Sequence, residues 1–347
     1  MNAPHPAILD YPFAAPPAPG TATEVAPGIL WLRMPLPFAL DHINLWLLAE
    51  DDGWTLVDSG IGDASTRALW TTHFATTMQG RPLKRIVATH CHPDHLGNAA
   101  WLAAQFDCRV AMTLGEFLAA HALIDGRAAH SPAATLALFR AHGMSDADVT
   151  ALARRGNRYA SMVPEAPTSF DRIIPGDAVT AGATPWATIF GYGHSSEHAA
   201  LFSAPRGVLI SGDMLLPKIS TNVSVWPSDP DGDPLGRFLT SIAAFLPLPA
   251  DTLVLPSHGL PFRGIALRVA QLIAHHDARL AELASAIAAA PAPVTATQMI
   301  PVLFRRELDL QQRFFAIGES VAHLNHLWRR GRLQRTVSRD GTLHFST

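Results

Sequence analysis

Three imidazoles and one carboxylate fall within the segment Thr89-His90-Cys91-His92-Pro93-Asp94-His95. Neutral imidazole nitrogens and carboxylate oxygens suit a borderline divalent cation such as zinc, and a short turn aims alternate side chains at two neighbouring ions. Burying these groups together without a cation would be costly. A surface scatter in a chain of 17 histidines is the alternative reading; the pattern as a whole, rather than any one histidine, argues for metal chemistry. Before the cluster, Leu83 to Ala88 reads as a strand, and after it Leu96 to Phe106 reads as a helix, which predicts a strand-to-helix loop. Loops of that kind carry function on a rigid scaffold.

Four further segments end in groups of the same chemistry: Trp54-Thr55-Leu56-Val57-Asp58-Ser59-Gly60, Gly191-Tyr192-Gly193-His194-Ser195-Ser196-Glu197-His198, Leu209-Ile210-Ser211-Gly212-Asp213 and Leu255-Pro256-Ser257-His258-Gly259. Each alone is weak, because an aspartate after an apolar strand is commonly a cap or turn former. In this order the five segments resemble the motifs of the metallo-β-lactamase-fold hydrolase superfamily. The resemblance covers the chain from Asp58 to His258 and implies an αββα sandwich.

The resemblance also implies a ligand set. His90, His92 and His194 would hold one ion, Asp94, His95 and His258 a second, and Asp213 would bridge them. Two divalent ions are expected, zinc first, with iron or manganese as alternatives. Ions roughly 3.5–4 Å apart share an activated hydroxide and polarise the substrate oxygen. No nucleophile elbow or phosphate-binding loop is present to offer another route. Asp94, Asp58 and Tyr192 form the candidate catalytic set. Asp58 is expected either to orient a ligand through a hydrogen bond or to act as a turn former. Tyr192 either sets a phenol near a developing oxyanion or packs as a core residue at a strand end. His198 is expected to pack or hydrogen-bond behind the site, and Cys91 to be a bystander. Gly97-Asn98 stands where the family often has Gly-Gly, a departure that touches helix-start geometry.

With 347 residues, 48% hydrophobic and 16% charged, the chain can bury a large core. A formal charge of −3 gives no sign of a nucleic-acid-seeking or membrane-surface protein. Only Cys91 and Cys108 occur, which excludes a disulfide framework and is compatible with a reducing compartment. The start lacks a basic n-region and apolar h-region, and no run approaches a membrane span, so a cytoplasmic protein is expected.

Residues 1–20 read as a Pro-rich tail, disordered or lying on the surface. Residues 21–263 read as the hydrolase domain, with a helical insertion at 113–169. The insertion is expected as a lid, with Phe117 and Leu138 facing the substrate. Residues 264–347 read as a long helix from Ile265 to about Ala288 and a small domain whose element order resembles the winged-helix domain appended to some hydrolases of that superfamily, as in the β-lactamase-like protein 2 group. That domain is expected as three helices after Val294 and a hairpin around Asp340-Gly341. His275 and His276 are expected to face solvent. From Pro291 onward eight Arg stand against four Asp or Glu.

The expected function is a zinc-dependent hydrolase that cleaves a thioester, lactone or related ester bond with a metal-bound hydroxide. Its substrate would be a small acyl or lactone molecule, a homodimer is compatible, and neither nucleic acid nor a membrane is expected as partner. The competing readings are an endoribonuclease or phosphodiesterase of the same fold, a mononuclear iron dioxygenase, and a binding protein without turnover.

Overall fold

The computed structural model describes residues 8–182 and 184–347. Its first half runs β1 (Ala22–Ala26), β2 (Ile29–Pro35), β3 (His42–Ala49), β4 (Trp54–Val57), α1 (Ala64–Ala75), β5 (Leu83–Val87), α2 (Pro93–Leu96), α3 (Ala99–Phe106) and β6 (Arg109–Thr113). Then come α4 (Leu114–Asp125), a short 3-10 turn at Ala128–His130, α5 (Pro132–Ala141), α6 (Asp146–Ala153), α7 (Arg158–Met162) and β7 (Asp171–Ile173). The second half runs β8 (Ala178–Ala181), β9 (Thr184–Gly191), β10 (His198–Ser203), β11 (Val208–Gly212), α8 (Pro234–Ala243) and β12 (Leu253–Pro256). It closes with α9 (Ile265–Ala289), α10 (Ala296–Leu303), α11 (Leu310–Arg329), β13 (Gln334–Val337) and β14 (Leu343–Ser346).

Side-chain alternation along the strands decides the layering. In β2 and β3, Ile29, Trp31, Trp46 and Leu48 point to one face, and Leu32, Met34, Leu45 and Leu47 to the other. The first set meets Leu201, Ile210, Leu253 and Leu255 of the second sheet, which forms the core between the sheets. The other set packs against Trp70 of α1 and Leu102 of α3. On the second sheet, Leu209 and Val254 face outward onto Phe238 and Ile242 of α8 and Leu272 of α9. The result is an αββα sandwich of a seven-stranded sheet, β1 to β7 in sequence order, and a five-stranded sheet, β12-β11-β10-β9-β8.

Strands β4, β5, β6 and β7 run parallel, as do β11 and β12. Their carboxyl ends therefore lie together in each sheet. The segments that follow β4, β5, β11 and β12 are those carrying Asp58, the histidine cluster, Asp213 and His258.

Helix α9 buries Ile265, Val269, Leu272, His276, Leu280, Leu283 and Ile287, a row at i, i+3, i+4 and i+7 spacing. Helix α11 adds Val321, Leu324 and Leu327 to the same core, so the C-terminal region and the second sheet share one hydrophobic cluster. Two helices, not three, lie between Val294 and the hairpin. Capping boxes at Thr295/Gln298 and Asp309/Gln312 start both of them and leave only residues 304–309 between. His276 also departs from expectation: it is buried, packs edge-on to Phe238 and meets His323, whereas its neighbour His275 is exposed. Of the Pro-rich tail, residues 1–7 lie outside the described residues. Leu9 is buried, Asp10 bridges to Arg263 and Phe13 packs on Trp31, so this part of the tail lies along the sandwich. No helix among the described residues is long and apolar enough to cross a membrane.

Candidate metal centre

His92 takes an extended N-cap conformation and Pro93 opens α2, a position where its missing N–H costs nothing. Asp94 and His95 therefore sit on a helical turn rather than in the expected loop. That turn ends at Gly97, where a Cβ would lie 2.5 Å from the backbone nitrogen of Gly62. Asn98 fits beside it because its side chain bonds the Ile61 carbonyl.

Two groups of donors converge: His90, His92, His194 and Asp213, and beside them Asp94, His95 and His258. In the first, His90 Nε2 lies 2.9 Å from His92 Nδ1 and 3.2 Å from His194 Nε2. In the second, Asp94 Oδ2 lies 3.6 Å from His95 Nε2 and 3.4 Å from His258 Nε2. Asp213 stands between the groups. Its Oδ2 is 3.3 Å from His194 Nε2, whereas its Oδ1 is 3.5 Å from His95 Nε2 and 3.3 Å from His258 Nε2.

The rear hydrogen bonds fix which nitrogen faces inward. His194 Nδ1 donates to the Asn222 carbonyl and His258 Nδ1 to the His42 carbonyl, both at 2.7 Å. His95 Nδ1 donates to Asp58 Oδ2 at 2.8 Å, and His90 Nδ1 lies 3.1 Å from Thr89 Oγ1. With protons held at the back, the Nε2 lone pairs point at one another across the centre. Such an arrangement is repulsive unless a cation lies between. Tetrahedral coordination with bonds of about 2.0–2.1 Å sets donors roughly 3.3 Å apart, close to the separations found. His95 Nε2 and Asp213 Oδ1 are also buried without a hydrogen-bond partner. The donor set fits divalent metal ions.

Electrostatics differ between the two groups. Burial, then the neighbouring imidazoles, holds His90 and His92 well below the ordinary range. Burial also opposes charge on His95 and His258, but the surrounding carboxylates outweigh it, Asp58 foremost for His95 and Asp213 for His258, and raise both. Asp213 is held well below the usual carboxylate range: His258 and His95 overcome its burial. An ion would replace the protons that these groups otherwise share.

Asp58 is buried in a left-handed conformation (φ 60°). Its carboxylate accepts from the Thr89 backbone at 2.8 Å and from the Thr89 hydroxyl, as well as from His95. Tyr192 is 39% exposed and lines the cleft beside His194; its backbone N–H bonds Ser241. His198 lies beneath the centre, where its Nε2 accepts the Asp213 N–H at 3.2 Å, and burial depresses it to about 3. Gly212 is required above that ring: it adopts φ +52°, and a Cβ there would meet His198 Nε2 at 2.2 Å.

Several supporting groups escape a reading of the sequence. The carboxylate of Glu116, on α4, accepts the Cys91 N–H at 2.8 Å and the Glu197 N–H at 2.6 Å. Tyr159, on α7, donates to the Cys91 carbonyl at 2.5 Å. The insertion thus grips the peptide between His90 and His92 from both sides. The hint in the sequence is Glu116, the lone acid in the first turn of a largely apolar helix. Phe117 and Leu138 do not line the cleft. Phe117 stacks on Phe170 at 4.2 Å and Leu138 joins the core around α5, while Leu123 and Leu136 form the wall instead.

An αββα sandwich with seven His and Asp side chains gathered at the strand ends defines a metallo-hydrolase class, and the chain belongs to the metallo-beta-lactamase superfamily, whose family model matches residues 39–258. Residues 280–347 match the metallo-beta-lactamase-like C-terminal domain. A beta-lactamase domain protein from Burkholderia ambifaria is 47% identical, with a TM-score of 0.90 over 97% of this chain and 98% of that one. The metallo-beta-lactamase family protein TTHA1429 from Thermus thermophilus is 28% identical, with a TM-score of 0.79 over 93% and 99%. A probable metallo-hydrolase, YqjP of Bacillus subtilis (strain 168), is 22% identical over 86% of this chain and 92% of its own.

Proposed function

We propose that this protein is a binuclear metal-dependent hydrolase that cleaves a carboxylic thioester, lactone or related ester, with zinc as its metal and the cytoplasm as its location. The observation that carries the reading is Asp213, which turns one carboxylate oxygen to each donor group. His90, His92 and His194 would hold one ion, and Asp94, His95 and His258 the other. When bound, two such ions supply Lewis-acid activation of a water and of the scissile carbonyl.

The chain's own residues supply the rest. Asp58 and Thr89 hold His95 and His90 in one tautomer and orientation. Asp94, on the helical turn of α2, would complete the second donor group and act there in catalysis beside His95 and His258. Tyr192, exposed at the cleft beside His194, would donate its phenol to the substrate's oxygen. In the hydrolysis the water oxygen bonds to the acyl carbon, the carbon–sulfur or carbon–oxygen bond breaks, and the leaving atom takes a proton. Apolar cleft residues, Leu123, Leu136, Trp226 and Phe314 among them, favour an acyl substrate over a polyanion. The free thiols of Cys91 and Cys108 support a reducing compartment.

Elemental analysis and a panel of thioester, lactone and phosphodiester substrates test the reading. Two equivalents of zinc with thioester or lactone turnover are expected, and Asp213→Ala should lose both ions and activity. One iron per chain, or phosphodiester cleavage alone, would overturn it.

A further inference from the structure

The cleft beside the metal centre encloses roughly 560 Å³, within the range of small-molecule sites. It lies between the insertion, the loop after Asp213 and the start of α11, so three separate parts of the chain shape it. Trp226 and Phe314 pack together with ring centres 6.1 Å apart, and Phe139 braces Phe314 edge-on. These rings make an apolar wall.

The charges of the cleft are unbalanced. Arg155, Arg158, Arg237 and Asp229 all line it. Arg237 and Asp229 neutralise each other at 2.8 Å. Among the described residues, Arg155 and Arg158 have no carboxylate partner. Arg155 is half-buried and Arg158 exposed, which puts them toward the mouth. The connection that carries them is tied down: Asn157 donates to the carbonyls of Leu123 and Ile124 at 2.7 and 3.1 Å. A guanidinium so positioned offers a planar fork matched to carboxylate or phosphate. Two cations beside an apolar wall suit one anionic group on an amphiphilic molecule. They are too few to track a nucleic-acid backbone, whose binding rests on many phosphate contacts.

We infer that the substrate is a thioester or ester with an apolar acyl part, lodged against Trp226 and Phe314, and an anionic group on its other part, held by Arg155 and Arg158. This deepens the hydrolase reading and rests on it. The probes are the octanoyl thioesters of 3-mercaptopropionate, of its neutral carboxamide and of 2-mercaptoethyl phosphate, which differ at the distal group. The parent protein should favour the anionic thioesters over the carboxamide by about tenfold or more in kcat/KM. The Arg155→Gln/Arg158→Gln protein should bring that ratio close to one, whereas Arg154→Gln, on the neighbouring exposed arginine, should keep it. The ratio between the carboxylate and phosphate probes identifies which anion is preferred. Calorimetric binding of the matching S-octyl thioethers reads the same preference without turnover. Equal handling of charged and neutral probes, or a preference that survives the double substitution, would overturn the inference while leaving the hydrolase reading intact. Charge-selective thioether binding without hydrolysis of any ester would keep Arg155 and Arg158 as the anion-binding pair but overturn the hydrolase reading and, with it, the assignment of the ligand as a substrate. Neither binding nor hydrolysis of any probe would overturn both.

Discussion

Glu116→Gln isolates what the insertion does for the metal loop. The carboxylate satisfies two backbone N–H groups, at Cys91 and Glu197, on the two segments that carry His90, His92 and His194. The amide keeps the shape but presents one oxygen and one NH₂, so one backbone N–H meets a donor. One charge-assisted hydrogen bond, about 1.5–3 kcal/mol, is lost, and the remaining one drops to the neutral value of about 1 kcal/mol. If metal binding must restore the order of the Cys91 peptide, its affinity falls by a similar free energy. At about 1.4 kcal/mol per tenfold, the lost bond alone corresponds to roughly ten- to a hundredfold, and the weakening of the second adds to it. Glu116→Ala strands both N–H groups and should cost more, about 2–6 kcal/mol in all. Competition against a chromophoric chelator gives the metal dissociation constants, and thermal unfolding of the metal-free proteins gives the stability. A Glu116→Gln protein that binds metal within twofold of the parent, yet melts lower when metal-free, would refute the reasoning and reduce Glu116 to a scaffold residue.

Three further outcomes are expected. Asp58→Asn should weaken metal binding about 10–100-fold, because the amide holds the His95 proton less well and Thr89 loses a charged acceptor; unchanged affinity in a chelator titration would leave Asp58 as a turn residue. His142 is buried against Phe345 with neither ring nitrogen bonded, and burial depresses it to about 4. An imidazole kept neutral in the fold charges on unfolding, so it subtracts stability as pH falls from about 6.5 toward 4, by up to about 3 kcal/mol. His142→Phe should therefore lessen the stability difference between pH 7.5 and pH 5 in urea titrations, and an unaltered difference would refute this assignment. Neutralising the exposed Arg330 and Arg332 should leave thioester hydrolysis within a fewfold, with negligible RNA binding at physiological salt; tight, salt-sensitive RNA binding that these changes abolish would promote a nuclease role instead.

The layering was legible through the resemblance of the five segments to the superfamily, since central strands such as β4 and β12 are buried throughout and read as plain apolar runs; the long helix was legible because Ile265, Val269, Leu272 and Leu283 keep a helical row. What failed were features set by tertiary partners. His276 looks like a surface residue beside His275, yet Phe238 and His323 enclose it, and only the packing of α8 and α11 on α9 reveals that. The start of α2 was misplaced because His92-Pro93 serves the helix and the site at once, so helical signal and chemical motif overlap. At the centre, the residue types pointed to the side chains that converge there but not to what holds them. Two of the rear partners, the carbonyls of Asn222 and His42, are backbone atoms that any residue could supply.

The same distinction explains how the insertion and C-terminal region bear on the site. Asn222, whose carbonyl fixes His194, also donates its side-chain amide to Glu319 on α11 at 3.3 Å. Glu319 is half-buried, and desolvation raises it to about 7. Glu116 and Tyr159 grip the opposite side of the His90–His92 segment from the insertion. His90, His92 and His194 are therefore braced by both additions to the sandwich, whereas the partners described for His95 and His258, namely Asp58, Thr89 and His42, all belong to the first sheet and the segments at its strand ends. A perturbation of α4 or α11 should reach the first donor group before the second, so the additions that shape the cleft also govern one half of the metal centre.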